Sequence, residues 1–325
     1  MPDLQPVFLF SLPRSGSTLL QRLLGAHPHI ATVSEPWVLL PMCYSMRSSG
    51  LFSEYNHQFY YRAWKDFVRQ LPEGEKGYRE ALRAFALDLY GRVSPPGARY
   101  FLDKTPRYHL IAGDIMRLFP EGKFIFLWRN PLAVTASIMN TWAEGRWNLH
   151  VFRIDLFKGL ATLAETARKA GDGAFFLRYE DLVLHPEEQM AALCRYLDVS
   201  FDPALLQDFS GVRLTGQMGD RWGTAEYQEV SARSLDRWQQ QGMNPLRRAW
   251  MRRYVRWIGD HRLAVMGYDE RELMRQLDAT PRTMRRLGSD LVRMGRHVLQ
   301  PWVEPHIVRD KWRRRRQPAE VVAHA

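Results

Sequence analysis

Cysteine is scarce in this chain. Its 325 residues hold only Cys43 and Cys194, far apart in sequence. That excludes a disulfide framework and a CxxC metal pair, and it leads us to expect a reducing, cytoplasmic setting. Long apolar runs are missing too. No stretch approaches the roughly 18 apolar residues of a membrane-spanning helix. The start, MPDLQPVFLFSLPRSG, has no basic leader, and its apolar run from Val7 to Phe10 is too short for a secretory signal. There are no internal repeats and no low-complexity segment. No His/Cys/Asp/Glu group has metal-ligand spacing, so no metal is expected.

What is present is an ordinary globular composition, 46% hydrophobic and 25% charged. The net charge is +11, from 46 basic and 35 acidic residues. Most of the excess sits between Thr280 and Arg316, where eleven Arg or Lys face three acids. Basicity therefore belongs to a tail, and the main body shows no nucleic-acid footprint.

Short apolar runs read as buried strands at Val7–Phe10, Ile30–Val33, Tyr100–Leu102, Phe124–Trp128 and Phe175–Leu177. Helical spacing lies between and after them, at Thr18–Leu24, Arg79–Tyr90, Leu156–Ala170 and Glu187–Leu197. Strands alternating with helices imply an α/β fold with a central parallel sheet covered on both faces. Ligands of such sheets sit beyond the strands' carboxyl ends. After the first four strands come Arg14, Glu35, Lys104 and Arg129. Three cations and one carboxylate suit a multiply anionic ligand plus one base.

Between the first strand and its helix lies Ser11-Leu12-Pro13-Arg14-Ser15-Gly16-Ser17-Thr18. It has the strand–loop–helix placement of a phosphate loop, whose backbone N–H groups face an anion. The usual form ends in GK(S/T), and its lysine bridges the terminal phosphates of a Mg-nucleotide. Here Ser17 replaces that lysine and Arg14 supplies a permanent planar charge. The loop is suited to phosphate and not to Mg-ATP, which argues against a P-loop kinase.

PRSGSTLL resembles the 5′-phosphosulfate loop of the sulfotransferases that use 3′-phosphoadenosine 5′-phosphosulfate (PAPS), especially the bacterial, tyrosylprotein and carbohydrate branches. FIFLWRNPLAVTASIMN resembles the family's second signature, a strand ending in Arg with a Ser eight residues on. Asn130 stands where the family often has Asp. The resemblance, which covers roughly residues 6–240, implies a P-loop NTPase-like three-layer sandwich, taken as residues 1–275; residues 276–325 read from their own spacing as a basic amphipathic helical extension. It implies PAPS as co-substrate, with Arg14, Ser15, Gly16, Ser17 and Thr18 on the phosphosulfate and Arg129 and Ser137 on the 3′-phosphate. Glu35 is then the general base, and Arg14 and Lys104 stabilise charge in in-line transfer to an acceptor hydroxyl. His109 is the rival base, while His27 and His29 precede the second strand on the opposite edge. FLRYEDLVLHPEEQMAALCRYLDV resembles a structural segment of the family. GQMGD (Gly216–Asp220) and SLDRW (Ser234–Trp238) resemble its nucleotide-closing loop, with Gly216 and Gly219 as contacts.

The acceptor is not named by the sequence. Tyr44, Phe52, Tyr55, Phe59, Tyr60, Tyr61 and Trp64, and a second group of Trp142, Trp147 and Phe152, suit a sugar, phenol, lipid or tyrosine acceptor. They equally suit helix core. Met284, Leu287, Leu291, Met294 and Val298, interleaved with arginines, form a basic amphipathic pattern. It fits either a helix packed on the main body or a foot, residues 280–316, on an anionic inner-membrane face. A non-catalytic membrane-surface protein is the remaining alternative; Glu35, Lys104, Arg129 and Ser137 argue against it.

Overall fold

The computed structural model describes residues 4–214, 229–232, 235–296 and 312. Five strands form one sheet: β1 (Gln5–Ser11), β2 (Ile30–Thr32), β3 (Tyr100–Asp103), β4 (Lys123–Trp128) and β5 (Phe175–Arg178). Their order is β2-β3-β1-β4-β5 and every neighbour is parallel. All five carboxyl ends therefore lie on one edge. Each apolar run expected to be a strand is one.

Alternation along β1 explains the layers. Phe8 and Phe10 point to one face, joining Phe101, Phe124, Phe126 and Trp128 in a core closed by α4 (Gly74–Val93), α5 (Ala112–Leu118), α6 (Pro131–Ala143), α7 (Leu160–Ala170) and the Pro245–Met266 helix. Val7 and Leu9 point to the other, joining Leu102, Ile125 and Leu127 under α1 (Ser17–Gly25), α8 (Tyr179–Leu184) and α9 (Pro186–Tyr196). Two helical layers thus cover one sheet, the three-layer sandwich expected. Between β2 and α4 lie α2 (Leu39–Ser45) and α3 (His57–Val68).

The expected Leu156–Ala170 helix opens with a π-helical turn, Ile154–Gly159. Fully buried Asp155 in that turn accepts from His109 Nε2 at 2.8 Å and pairs with Arg107 at 2.9 Å. A Cβ on Gly159 would lie 2.4 Å from the His109 ring. His109 is thus enclosed by core contacts and bonded to its own carboxylate. His27, also buried, contacts the Ser200 carbonyl at 3.1 Å, as its place before β2 implied. Cys43 and Cys194 are free and buried, and burial pushes their thiols up to about 12 and about 11.

The basic pattern near the C-terminus does form a helix, Leu287–Arg296. Its inward face differs from the apolar periodicity. Met284 and Leu291 are about two-thirds exposed, whereas Asp290 is fully buried. Asp290 accepts from Arg247 Nε at 2.6 Å and from Asn244 Nδ2 at 2.7 Å, locking the helix onto the start of Pro245–Met266. The carboxylate, held by a guanidinium and an amide, fixes where the helix docks, and Met294 of the same helix packs on the core beside it.

Candidate functional site

The loop after β1 ends in Gly16, whose φ of 90° caps α1 in the left-handed region. Glycine is also needed sterically. A Cβ there would fall 2.2 Å from Tyr179 Cδ2. Among the described residues, no side chain caps α1, so its N-terminus and the buried Ser15, Ser17 and Thr18 form an anion cradle. The buried Ser11 Oγ and Arg129 Nε have no hydrogen-bond partner among the described residues. Unsatisfied buried donors at such a cradle fit a phosphate or sulfate oxygen.

β4 delivers the second part. Asn130 caps α6 by accepting from Leu132 N at 2.9 Å, with Pro131 at the first helical position. That fixes Ser137 on the near face of α6, where Arg14 Nε donates to its Oγ at 3.2 Å. Arg129 Nη1 donates to the Arg14 carbonyl at 2.9 Å. Arg14, Arg129 and Ser137, distant in sequence, therefore meet at one place. The Arg14 guanidinium also lies 5.6 Å from the ring centroid of Trp142, which stacks on Phe152.

β2 and β3 deliver the third part. Lys104 Nζ and Glu35 Oε1 lie 2.8 Å apart, with the lysine side chain 2% and the glutamate side chain 9% exposed. The Trp37 indole donates to the other Glu35 oxygen at 3.3 Å. Gln21 of α1 reaches this segment by donating to Thr32 Oγ1 at 2.8 Å and to the Val33 carbonyl at 2.7 Å. One helix thus carries the anion cradle at its start and braces the Glu35 loop one turn later.

The fifth strand end holds residues that the sequence reading left as structural. Tyr179 fills the space under Gly16, and Arg129 stacks on its ring at 4.3 Å. Glu180 accepts from the Asn130 backbone N–H at 2.9 Å and from Tyr268 at 2.6 Å, while Asn130 Nδ2 donates to Gln276 at 2.8 Å. Arg129 and Asn130 are held from beneath by this network. The strand-end rule that located Glu35 and Lys104 would have found Tyr179 and Glu180 as well, in RYED directly after Leu177.

The aromatic segment divides. Trp64 and Trp147 are core, while Phe52, Tyr55, Phe59 and Trp142 are exposed. Gly216, Gly219 and Ser234 lie outside the described residues. Among those described, no group of three or more His, Cys, Asp or Glu could hold a metal ion, and no helix is long and apolar enough to cross a membrane.

The profile of the sulfotransferase family matches residues 6–203, which contain every residue of the three parts above. The nodulation protein NoeE of Sinorhizobium fredii (strain NBRC 101917 / NGR234) is 28% identical over 294 residues, covering 81% of this chain and 66% of that protein. The protein-tyrosine sulfotransferase of Drosophila melanogaster is 30% identical over 207 residues, covering 62% of this chain and 39% of that protein. The chain thus spans less than two thirds of the length of either relative. The solved sulfotransferase domain from the curacin biosynthetic pathway superposes with a TM-score of 0.53 at 24% identity, over 83% of this chain and 99% of that one.

Proposed function

Since the chain belongs to the sulfotransferase family, we propose that it moves a sulfuryl group from PAPS to an acceptor hydroxyl. The observation that carries this reading is the meeting of Arg14, Arg129 and Ser137 beside the α1 cradle. It offers cationic and hydroxyl donors to two separate anionic groups on one ligand, which a 3′-phosphorylated 5′-phosphosulfate has.

The residues divide the work. Ser15, Gly16, Ser17 and Thr18 hold the 5′-phosphosulfate, and Arg129 and Ser137 hold the 3′-phosphate. The acceptor oxygen attacks sulfur in line with the bond from sulfur to the bridging oxygen. That bond breaks, its electrons leave with adenosine 3′,5′-bisphosphate, and the acceptor proton passes to Glu35. Such a loose transition state is governed by charge placement, supplied here by Arg14 and Lys104. Lys104 starts on Glu35 and is free to follow charge to the bridging oxygen as the proton arrives on the carboxylate. Burial of His109 against Asp155 favours Glu35 as the base.

For the acceptor, exposed Trp142 beside Arg14 favours a flat or apolar group, such as a sugar face, phenol, lipid or protein tyrosine. The reading keeps residues 1–275 as the catalytic part and 276–325 as the extension, joined by the Glu270–Ala279 helix. It places the protein in the cytoplasm, with contact between residues 280–316 and an anionic inner-membrane face. Exposed Met284, Leu291 and Val292 near Arg282 and Arg285 support that contact.

The test is thermal shift with adenosine 3′,5′-bisphosphate against Mg-ATP, followed by labelled PAPS with saccharides, phenols, lipids and tyrosine peptides. Stabilisation by the bisphosphate and label in one acceptor class are expected. Stabilisation by Mg-ATP alone would overturn the reading. Salt-sensitive pelleting with anionic vesicles tests the membrane contact, and equal pelleting of a 1–279 chain would remove it.

A further inference from the structure

β3 ends on a carboxylate that no step above uses. Asp103 is fully buried, one residue before Lys104. Three hydroxyls donate to it: Tyr90 of α4 at 2.6 Å, Tyr108 at 3.0 Å and Thr105 at 3.2 Å. Two of those hydroxyls are themselves acceptors from the segment that bears Glu35. The Trp37 backbone N–H donates to Thr105 Oγ1 at 3.3 Å, and the Leu39 N–H donates to Tyr108 Oη at 3.1 Å. Trp37 sits at a φ of 58°, a left-handed position that a tryptophan holds only where its surroundings fix it.

We infer that Asp103 is the positioning residue for the general base: through Thr105 and Tyr108 it fixes the Glu35 loop at the distance from Lys104 that transfer requires. The reason lies in the direction of the hydrogen bonds. A carboxylate accepts from all three hydroxyls, so the Thr105 and Tyr108 oxygens keep lone pairs for the two backbone N–H groups. An amide or a protonated acid places a donor on one side. The hydroxyl facing that donor must turn its hydrogen elsewhere, inside a fully buried site where an unpaired polar group is costly. Burial raises the Asp103 carboxyl to about 6, against the three hydroxyls and Lys104, which favour its charge. The groups facing it are Tyr90, which also senses Cys43 of α2, then Tyr108, Thr105 and Lys104. The relay is thus intact at neutral pH and reverses just below.

This rests on the proposed sulfuryl transfer, and the test separates the two. Wild-type, Asp103→Asn, Thr105→Val and Thr105→Ser proteins are compared for kcat and KM with PAPS and the acceptor found above, from pH 5 to 8, with binding of adenosine 3′,5′-bisphosphate in parallel. Asp103→Asn should lower kcat about tenfold at pH 7.5, since a base displaced by a fraction of an ångström loses rate steeply. It should also remove the wild-type acid limb near pH 6 and leave bisphosphate affinity within about twofold. Thr105→Val should fall severalfold, and Thr105→Ser, which keeps the hydroxyl, should match wild type. Wild-type kcat in folded Asp103→Asn, or equal rates for the Val and Ser variants, would overturn the inference and leave sulfuryl transfer standing. A wild-type protein that moves no label from PAPS would overturn both.

Discussion

Glu35 and Lys104 form an ion pair of 2.8 Å at the ends of two adjacent strands, almost wholly out of water. Removing one charge leaves the other buried and uncompensated, at a cost of about 3 kcal/mol or more.

Glu35→Gln is therefore the clean test of the base. It keeps shape and polarity, and should retain bisphosphate binding while losing about 100-fold or more in kcat, the usual share of a general base. Both variants should melt below wild type, because each leaves the Lys104 charge without its carboxylate; Glu35→Ala should lose the same rate and melt lower still, since the Gln amide oxygen can accept from Lys104 and a methyl cannot. Initial rates with labelled PAPS and a melting curve separate the effects. Near-normal rates in Glu35→Gln would remove Glu35 from the chemistry.

Arg129→Ala should weaken binding of adenosine 3′,5′-bisphosphate by about tenfold or more, the value of a charge-assisted bond to phosphate. Its affinity for adenosine 5′-monophosphate should change far less, because that ligand lacks the second phosphate. Calorimetric titration of both nucleotides against both proteins gives the comparison. Equal losses for the two would assign Arg129 to the loop and not to the 3′-phosphate.

Gly16→Ala should disable the cradle. The new methyl meets the Tyr179 ring at 2.2 Å and adopts a φ of 90°, costing roughly 1–3 kcal/mol. Tyr179→Leu in the same chain should recover part of the lost stability and none of the stacking on Arg129. Melting temperatures of the two single mutants and the double mutant measure the coupling, and strict additivity would place the clash elsewhere.

Asp103 should separate stability from activity on acidification. Its folded pKa, about 6, lies above the ordinary aspartate value of 3.8, because burial penalises the charge. The folded state then binds more protons than the unfolded state between those values, so this group's contribution to stability falls as pH rises from about 4 to 6. By pH 7 the cost is about 3 kcal/mol. Relative to Asp103→Asn, wild type should lose stability with rising pH over that window while it gains kcat. Denaturant melts at pH 4.5, 5.5 and 7 give the slope, and a parallel rise of both quantities would contradict it.

Much of this was legible in the sequence because local signals carried it. Each strand is a short apolar run, and a buried parallel sheet needs little more than that. Arg14, Glu35, Lys104 and Arg129 follow directly from counting what comes after each strand. Tyr179 and Glu180 did not stand out, since their partners lie far along the chain; the partners of Asp103 are near it in sequence, but no spacing pattern shows that Tyr90, Thr105 and Tyr108 turn their hydroxyls onto one carboxylate. Tyr179 matters because of Gly16, and Glu180 because of Asn130 and Tyr268. The C-terminal helix shows the opposite failure. Its apolar spacing is real, yet Asp290 is the buried contact because Arg247 and Asn244 wait beneath it.

The hydrogen bond from Arg129 to the Arg14 carbonyl joins the two anion-binding parts across 115 positions of chain. On the proposed reading it works as a ruler. It sets one spacing between the 5′ and 3′ ends of the donor, because neither arginine can shift without pulling the other. A nucleotide with its second phosphate on the 2′ oxygen would be mis-spaced at one end whenever it is seated at the other. Selectivity among bisphosphates would then come from the backbone of the loop as much as from the charges it displays.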